Sequence, residues 1–347
     1  MNSPKHIISF DHLRILACFG VVLLHVSAYF WYNNPVSSPD WLISNAYNII
    51  TRISVPLFVM ISGALFLDPA KEISIKTLWS KHIFRFFVIY VIWMTAYGIS
   101  YFSSLSVESQ TWKNLFLSVL NGRYHLWFLP MLLGIYALIP LLRTWIRGAS
   151  KNDIAYFLFL FMILQIIPTS FRSLLKTPDL LTFLENFQWE LICSYVGYFI
   201  LGYYLFHIKI PSAWNRVLFI TAPFFYLANL CVSTLYSRST QQPQGEFFDS
   251  FGIFTFLFTI CVFQFFTTKT GQKESSKLFS ALIGEISKCT LGIYLIHLWV
   301  IDLGFLFPLY HLPAILAIPL ISVCVFLISL LISMLLRRLP FLGKYVC

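Results

Sequence analysis

Residues 7–32, IISFDHLRILACFGVVLLHVSAYFWY, form an apolar run that is interrupted by Asp11, Arg14 and His25. About 20 helical residues cross the hydrocarbon core of a bilayer, so this run is long enough to be a membrane span. With a rise of about 1.5 Å per residue, Arg14 and His25 lie roughly 16 Å apart along one helix face, with Asp11 one turn from Arg14. An ionisable group in hydrocarbon costs about 2.5 to 3.5 kcal/mol on insertion scales. We therefore expect this stripe to face protein or a water-filled cavity, where it is a candidate functional site.

The composition of the chain is that of a polytopic membrane protein. Of its 347 residues, 58% are hydrophobic and 11% are charged, whereas soluble domains contain about 25% charged residues. The formal net charge is +10, but a basic excess is expected in a membrane protein whose loops fix its orientation. We therefore expect membrane lipids, and no nucleic acid, among its partners.

Neither a metal centre nor a cleaved leader is predicted. The seven cysteines lie mostly in apolar runs without CxxC or paired spacing, which is typical of small core residues rather than of disulfides or metal ligands. The first apolar run contains charges and is not followed by a small-residue cleavage site, so we interpret it as a retained span. No permanently bound cofactor is expected.

Ten apolar stretches of about 20 residues predict an all-α membrane protein with ten transmembrane helices. They lie near residues 8–30, 43–66, 83–103, 127–146, 154–170, 189–206, 216–236, 251–268, 281–303 and 315–335. With the N-terminus inside, the cytoplasmic segments hold 16 of the 24 Lys and Arg residues and the opposite loops hold 5. Because cytoplasmic loops are enriched in Lys and Arg, both termini are predicted to be cytoplasmic. No internal repeat is visible, so residues 1–347 are predicted to form a single membrane domain.

Polar residues of different spans can be compared in depth, because the direction of the spans alternates. The outer group consists of His25, Arg52, His125 and His297, and the inner group consists of Asp11, Arg14, Glu285 and Lys288. A basic inner end and an outer histidine centre suit a donor that enters from one side and an acceptor that arrives on the other. Histidine has an ordinary pKa of about 6.5, so a neutral His25 could accept a proton from an alcohol at pH 7. Arg52 could stabilise a developing oxyanion.

Other interpretations of these residues stay open. Asp11 and Arg14 could form an ion pair near the head groups, with His25 a hydrogen-bonded core histidine. Trp127, beside His125 at the outer boundary, is typical of an interfacial anchor. A transporter would also use buried Arg and His in broken helices, although the inverted repeats of many transporters are not visible in this sequence.

Four motifs that follow one another along the chain resemble the acyltransferase-3 family of integral membrane acyltransferases. They are Arg14-x10-His25, RxSxPxFxxxSG from Arg52 to Gly63, HLWFLP from His125 to Pro130, and LGIYLIH from Leu291 to His297. Each motif is weak alone, but four in order among ten spans form a specific pattern. The resemblance extends over essentially the entire chain and is nearest to short, single-domain members of the enterobacterial common antigen O-acetyltransferase type.

The resemblance implies transfer of an acetyl or other short acyl group from cytoplasmic acetyl-CoA, as a substrate, to a hydroxyl of a cell-surface or lipid-linked glycan. It also implies a multi-pass protein of the bacterial inner membrane. His25 and Arg14 would be the catalytic pair, with direct transfer or an acylated His25 as alternatives. The substrate-binding candidates are Asp11, Arg52, Ser54, His125, Trp127, Tyr294 and His297.

The donor phosphates have separate candidate ligands at the start of the third span. The family often has an RxxR pair there, whereas this chain has Lys81-x3-Arg85. Two cations one turn apart would still bind phosphates. The acceptor sugar, the length of the acyl chain and the oligomeric state, including a homo-oligomer, stay open.

Overall fold

The computed structural model describes residues 7–106, 110–171, 194–208, 210–268, 277–340 and 343. Within these ranges the chain is helical and has no β-strand. Eight of the described helices are long and apolar enough to cross a membrane, or nine if one bent pair counts as a single span. The predicted all-α membrane protein is therefore confirmed. The sixth predicted span, 189–206, begins outside the described residues, and the orientation of the termini stays a prediction.

The described helices are labelled in chain order. The first seven are α1 (Ile8–Asn33), α2 (Pro39–Thr51), α3 (Ser54–Phe66), α4 (Ile75–Ser103), α5 (Trp112–Asn121), α6 (Tyr124–Gly148) and α7 (Lys151–Phe171). They are followed by α8 (Ser194–His207), α9 (Ser212–Thr240), α10 (Ile253–Thr267), α11 (Lys277–Lys288), α12 (Thr290–Asp302) and α13 (Ala314–Arg337). A 3-10 turn opens α6 at Tyr124–Trp127, and a π turn at Leu78–Ile83 lies within α4.

Helix α1 lies at the centre of the bundle. It contacts α2, α3, α10, α11, α12 and α13. Leu13, Cys18 and Phe30 are all buried, although at about 100° per residue they point in different directions around the helix. A helix that is apolar on nearly all sides is expected where neighbours cover all of those sides. The ionisable residues of α1 therefore face other helices.

The second predicted span is a broken helix whose two parts, α2 and α3, meet at Arg52 and Ile53. Proline has no N–H and its ring clashes with the carbonyl four residues earlier. For Pro56 that carbonyl belongs to Arg52, so the helix breaks there. Arg52, at the break, pairs with Asn48 one turn earlier, whose Oδ1 accepts hydrogen bonds from Nε at 2.9 Å and Nη2 at 2.6 Å.

The ninth predicted span is also bent, by 60° between α11 and α12. Glu285 pairs with Lys288 at 2.6 Å, as their spacing of one turn indicates. Glu285 also lies 3.7 Å from Arg337 of α13, which donates a hydrogen bond to Cys289 at the bend. These contacts link the bend to α13.

Two glycines allow α3 and α8 to pack backbone against backbone. A Cβ atom at Gly63 would lie 1.7 Å from the carbonyl oxygen of Phe199, and one at Gly202 would lie 2.1 Å from that of Met60. Small residues permit such close approach between membrane helices. Because both opposing atoms belong to rigid helix backbone, neither side can yield without separating the helices.

We expect Gly63→Ala to lower the free energy of unfolding by about 3 kcal/mol, the upper end of the cost of overpacking. The measurement is thermal unfolding of the purified protein in detergent, together with the monodisperse fraction. Gly134→Ala is the matched control, because a Cβ atom at Gly134 of α6 has no neighbour within 4 Å. Equal stability of the two variants would contradict the close packing of α3 on α8.

Candidate active site

Three histidines from three helices meet at one level of the bundle. His25 lies on α1, His125 in the turn that opens α6 and His297 on α12. The ring centroid of His297 lies 5.1 Å from that of His25 and 5.4 Å from that of His125. His125 and His297 are buried, and His25 is half-buried. In the part of the chain that the structure describes, no group of three His, Cys, Asp or Glu residues is arranged to hold a metal ion.

The hydrogen bonds of His297 determine its tautomer. Its Nδ1 lies 2.6 Å from the carbonyl oxygen of Tyr294. A carbonyl oxygen only accepts hydrogen bonds, so Nδ1 carries the proton, and in the neutral ring Nε2 carries a lone pair. Among the described residues, this buried Nε2 has no hydrogen-bond partner. Buried polar atoms are nearly always paired in native proteins, so an unpaired one calls for an explanation. A substrate hydroxyl that donates a hydrogen bond to Nε2 would provide the missing partner.

Two tyrosines hold the histidine cluster in place. The Tyr294 hydroxyl donates to the carbonyl of His125, and the Tyr97 hydroxyl of α4 donates to the carbonyl of Leu295 at 2.8 Å. The rings of Tyr294 and Tyr97 lie 5.4 Å and 5.1 Å from the ring of His125. The substrate-binding candidate Tyr294 thus also joins α12 to the start of α6.

Cations also lie near the cluster, at the end of the site away from Arg14. The charges of Arg52 and Arg123 are near enough to act on His25. The Arg52 guanidinium carbon lies 4.4 Å from the centre of the Phe248 ring, an arrangement that holds it by a cation–π contact. Since Arg52 is only partly buried and a guanidinium has five N–H donors, it can bind an oxygen atom in addition to Asn48.

An apolar cavity of about 220 Å³ runs along α1 between α3, α4, α6 and α12. Arg14 lines one part of it, and Val21 lies about 10 Å further along α1 by helix rise. Phe128 and Tyr294 also line it, with ring centroids 5.6 Å apart, and the Tyr294 ring lies 6.1 Å from that of His297. The cavity therefore leads from Arg14 to the wall of the histidine cluster. His25 is not part of its lining.

The first-span ion pair is present and adjoins this cavity. Arg14 Nη1 donates to Asp11 Oδ1 at 3.3 Å. Asp11 is buried and accepts a hydrogen bond of 2.7 Å from Ser287 of α11. Asp11 thus holds Arg14 and joins two helices, while Arg14 is half-buried and lines the cavity. The ion pair and a role for Arg14 at the cavity are compatible.

The remaining predicted site residues lie elsewhere. Ser54 is buried against α1, where its Oγ would lie 2.2 Å from a Cβ atom at Gly20. Trp127 is exposed, with its ring 5.7 Å from that of Tyr195 in α8. The structure therefore does not bring Ser54 and Trp127 into the histidine cluster.

The phosphate-binding candidates lie at the start of α4, on and just after its π turn. Lys81 is exposed and Arg85 is half-buried. The next residue, Phe86, lines the same cavity as Arg14. Arg85 is therefore next in the chain to a residue of the cavity wall, and Lys81 lies one helical turn before Arg85.

Two residues at the end of the site away from Arg14 were not among those predicted. The Tyr124 hydroxyl lies 3.3 Å from Nδ1 of His25. Arg123 pairs with Asp302 at 2.9 Å. From the sequence alone, Arg123 and Tyr124 look like ordinary interfacial residues. Only their position directly before His125 in the chain could have indicated that they belong to the site.

Residues 7–338 match the sequence model of a protein family, acyltransferase-3, which is described as an acyltransferase domain. The matched range contains all of the helices described above, the histidine cluster and the cavity. Comparison with curated proteins gave no match, and comparison with solved structures gave none either.

Proposed function

This chain belongs to the acyltransferase-3 family and is a multi-pass membrane acyltransferase, and from that premise we propose its donor and acceptor. The donor is acetyl-CoA or another short acyl-CoA from the cytoplasm. The acceptor is a hydroxyl of a cell-surface or lipid-linked glycan, and the protein acts in the bacterial inner membrane. The observation that carries the proposal is the apolar cavity between Arg14 and the histidine cluster.

The cavity suits the extended, uncharged arm that joins the thioester of an acyl-CoA to its phosphates. Its walls are mostly apolar, and Arg14 is a cation in its lining. Guanidinium and ammonium groups bind phosphate oxygens through charge-assisted hydrogen bonds. Arg14, with Lys81 and Arg85 near the same wall, would hold the polar part of the donor while the thioester reaches Phe128 and Tyr294. His25 does not line the cavity, so we propose that donor binding turns the Phe128 ring aside while Tyr294 stays bonded to His125.

His25 is the proposed general base. It accepts the proton of the acceptor hydroxyl through a ring nitrogen, and the oxygen attacks the carbonyl carbon of the thioester. The carbon–sulfur bond then breaks, and the CoA thiolate takes the proton back from the imidazolium. A positioned proton acceptor contributes about 100- to 10,000-fold to such a step, and holding donor and acceptor together contributes further.

Two neighbours support this chemistry. Arg52 would stabilise the negative charge that develops on the carbonyl oxygen. The lone pair of His297 Nε2 would accept a hydrogen bond from the acceptor and thereby orient it. An acetylated His25 is the second route, in which the imidazole attacks the thioester first.

The decisive experiment measures release of CoA thiol and transfer of radiolabel from acetyl-CoA to a cell-envelope glycan extract, with purified protein in lipid. We expect label in the glycan and stoichiometric thiol release. If a panel of acyl-CoAs and extracts gives neither donor binding nor transfer, the proposal is wrong. Flux of a glycan precursor or anion into liposomes without CoA would then favour a transporter.

A further inference from the structure

Tyr124, the first residue of α6, contacts His25 from the outer side of the site. Its hydroxyl lies 3.3 Å from Nδ1 of His25, and the two rings meet edge to face with centroids 5.4 Å apart. The Tyr124 residue is 61% exposed. Burial therefore does not hold this side chain in place, and a specific contact has to do so.

An ion pair between two helix ends provides that contact. Nη2 of Arg123 lies 3.1 Å and 2.9 Å from the two carboxylate oxygens of Asp302. The guanidinium carbon of Arg123 lies 5.6 Å from the centre of the Tyr124 ring. Asp302 ends α12, the helix that carries His297, and Arg123 precedes α6. The pair therefore ties together the two helices that supply the other histidines.

Ion pairs at such an exposed place contribute little to stability. Arg123 and Asp302 are both partly exposed. Their geometry, with one guanidinium nitrogen shared by both carboxylate oxygens, instead restricts where the Tyr124 ring can lie. This makes the pair a means of positioning rather than of stabilising the fold.

We propose that Tyr124 is a positioning residue that sets the tautomer of His25. In a neutral imidazole one nitrogen carries the proton and the other the lone pair, and the hydrogen-bond partner decides which. The exposed phenol can donate its own proton to solvent and accept a hydrogen bond from Nδ1–H of His25. Nε2 of His25 is then left as the basic atom.

The proton balance follows from this arrangement. Nε2 takes the proton from the acceptor hydroxyl and later returns it to the CoA thiolate, while Nδ1–H stays bonded to the Tyr124 oxygen throughout. No proton passes through Tyr124. The inference rests on the proposed role of His25 as the base.

The test compares Tyr124→Phe, which keeps the ring and removes the hydroxyl, with wild type in lipid. We expect kcat to fall about tenfold, in line with the loss of a partner that orients a histidine, while KM for acetyl-CoA stays within about twofold because Tyr124 does not line the donor cavity. Tyr156→Phe in α7 is the matched control, since Tyr156 is 63% exposed, and it should retain full activity.

A second measurement does not depend on activity. Nitrogen-15 NMR of histidine-labelled protein, with the His25 signal assigned from its loss in His25→Ala, reports which ring nitrogen carries the proton. We expect the Nδ1–H form in wild type and a mixture of tautomers in Tyr124→Phe. An Nε2–H form in wild type, or an unchanged kcat in Tyr124→Phe, would overturn the inference.

The outcomes also separate this inference from the function on which it rests. If His25→Ala is inactive and Tyr124→Phe is fully active, only the role of Tyr124 is wrong. If His25→Ala still transfers acyl groups at the wild-type rate, the proposed base is wrong, and the tautomer has no bearing on catalysis. Arg123→Gln should reproduce the fall in kcat, and adding Asp302→Asn should lower it no further, because the two residues act as one pair.

Discussion

His25→Ala should lower the rate of acyl transfer by about 100- to 10,000-fold, the contribution of a positioned general base. Donor binding should be unchanged, because His25 does not line the cavity that is proposed to hold acyl-CoA. The folded state should also persist, since His25 is only half-buried. The measurements are label transfer from acetyl-CoA to glycan and, separately, equilibrium binding of acetyl-CoA to the same preparation.

His12→Ala is the matched control for this variant. His12 lies on the same helix, but its Nδ1 bonds to the carbonyl of Ile8 and its ring faces Phe266 and Phe279. The His12→Ala variant should therefore transfer acyl groups at the wild-type rate. Wild-type turnover by well-folded His25→Ala would refute the role of His25. Radiolabel bound covalently to wild type and absent from His25→Ala would instead support an acetylated histidine.

Arg14→Ala should raise KM for acetyl-CoA by at least tenfold and leave KM for the acceptor nearly unchanged. The reason is that Arg14 is the only cation in the described lining of the cavity, and one hydrogen bond to a charged group contributes about 1.5 to 3 kcal/mol. The measurement is initial rate against donor concentration at fixed acceptor. An unchanged donor dependence would show that Arg14 has no part in donor binding.

Asp11→Asn separates this role from that of the ion pair. The oxygen of the new amide can still accept a hydrogen bond from Ser287. The substitution therefore removes only the negative charge beside Arg14. If Arg14 acts on the donor directly, Asp11→Asn should change KM for acetyl-CoA far less than Arg14→Ala does. Equal effects of both variants would indicate that Arg14 matters only through its contact with Asp11.

Several features of the fold follow from local chemistry and could be read from the sequence. Polar groups are unfavourable in hydrocarbon, so membrane spans can be recognised in the sequence as long apolar runs. Nine of the ten predicted spans coincide with described helices or with a bent pair of them. The charged stripe on the first span predicted a helix that faces protein or a cavity, and α1 contacts α2, α3, α10, α11, α12 and α13. The break between α2 and α3 follows from Pro56, because Pro56 has no N–H to donate to the carbonyl of Arg52 four residues earlier.

The composition of the site could be predicted only in part. Depth along each span placed His25, His125 and His297 at a similar level, and the structure brings them together. The same reasoning could not tell which face of a helix points to the cavity. Ser54, a predicted substrate-binding residue, packs against Gly20 of α1 instead.

The sequence by itself determined the class of protein, the spans and the level at which the polar residues lie, because each of these depends on the transfer of single segments between water and hydrocarbon. Only the tertiary structure decided which side chains meet. The contact of Tyr124 with His25 and the pairing of Arg123 with Asp302 depend on how α1, α6 and α12 are rotated and packed against one another. That packing depends on contacts between residues far apart in the chain, such as Tyr294 with His125. A pattern within one segment of the sequence therefore cannot predict it.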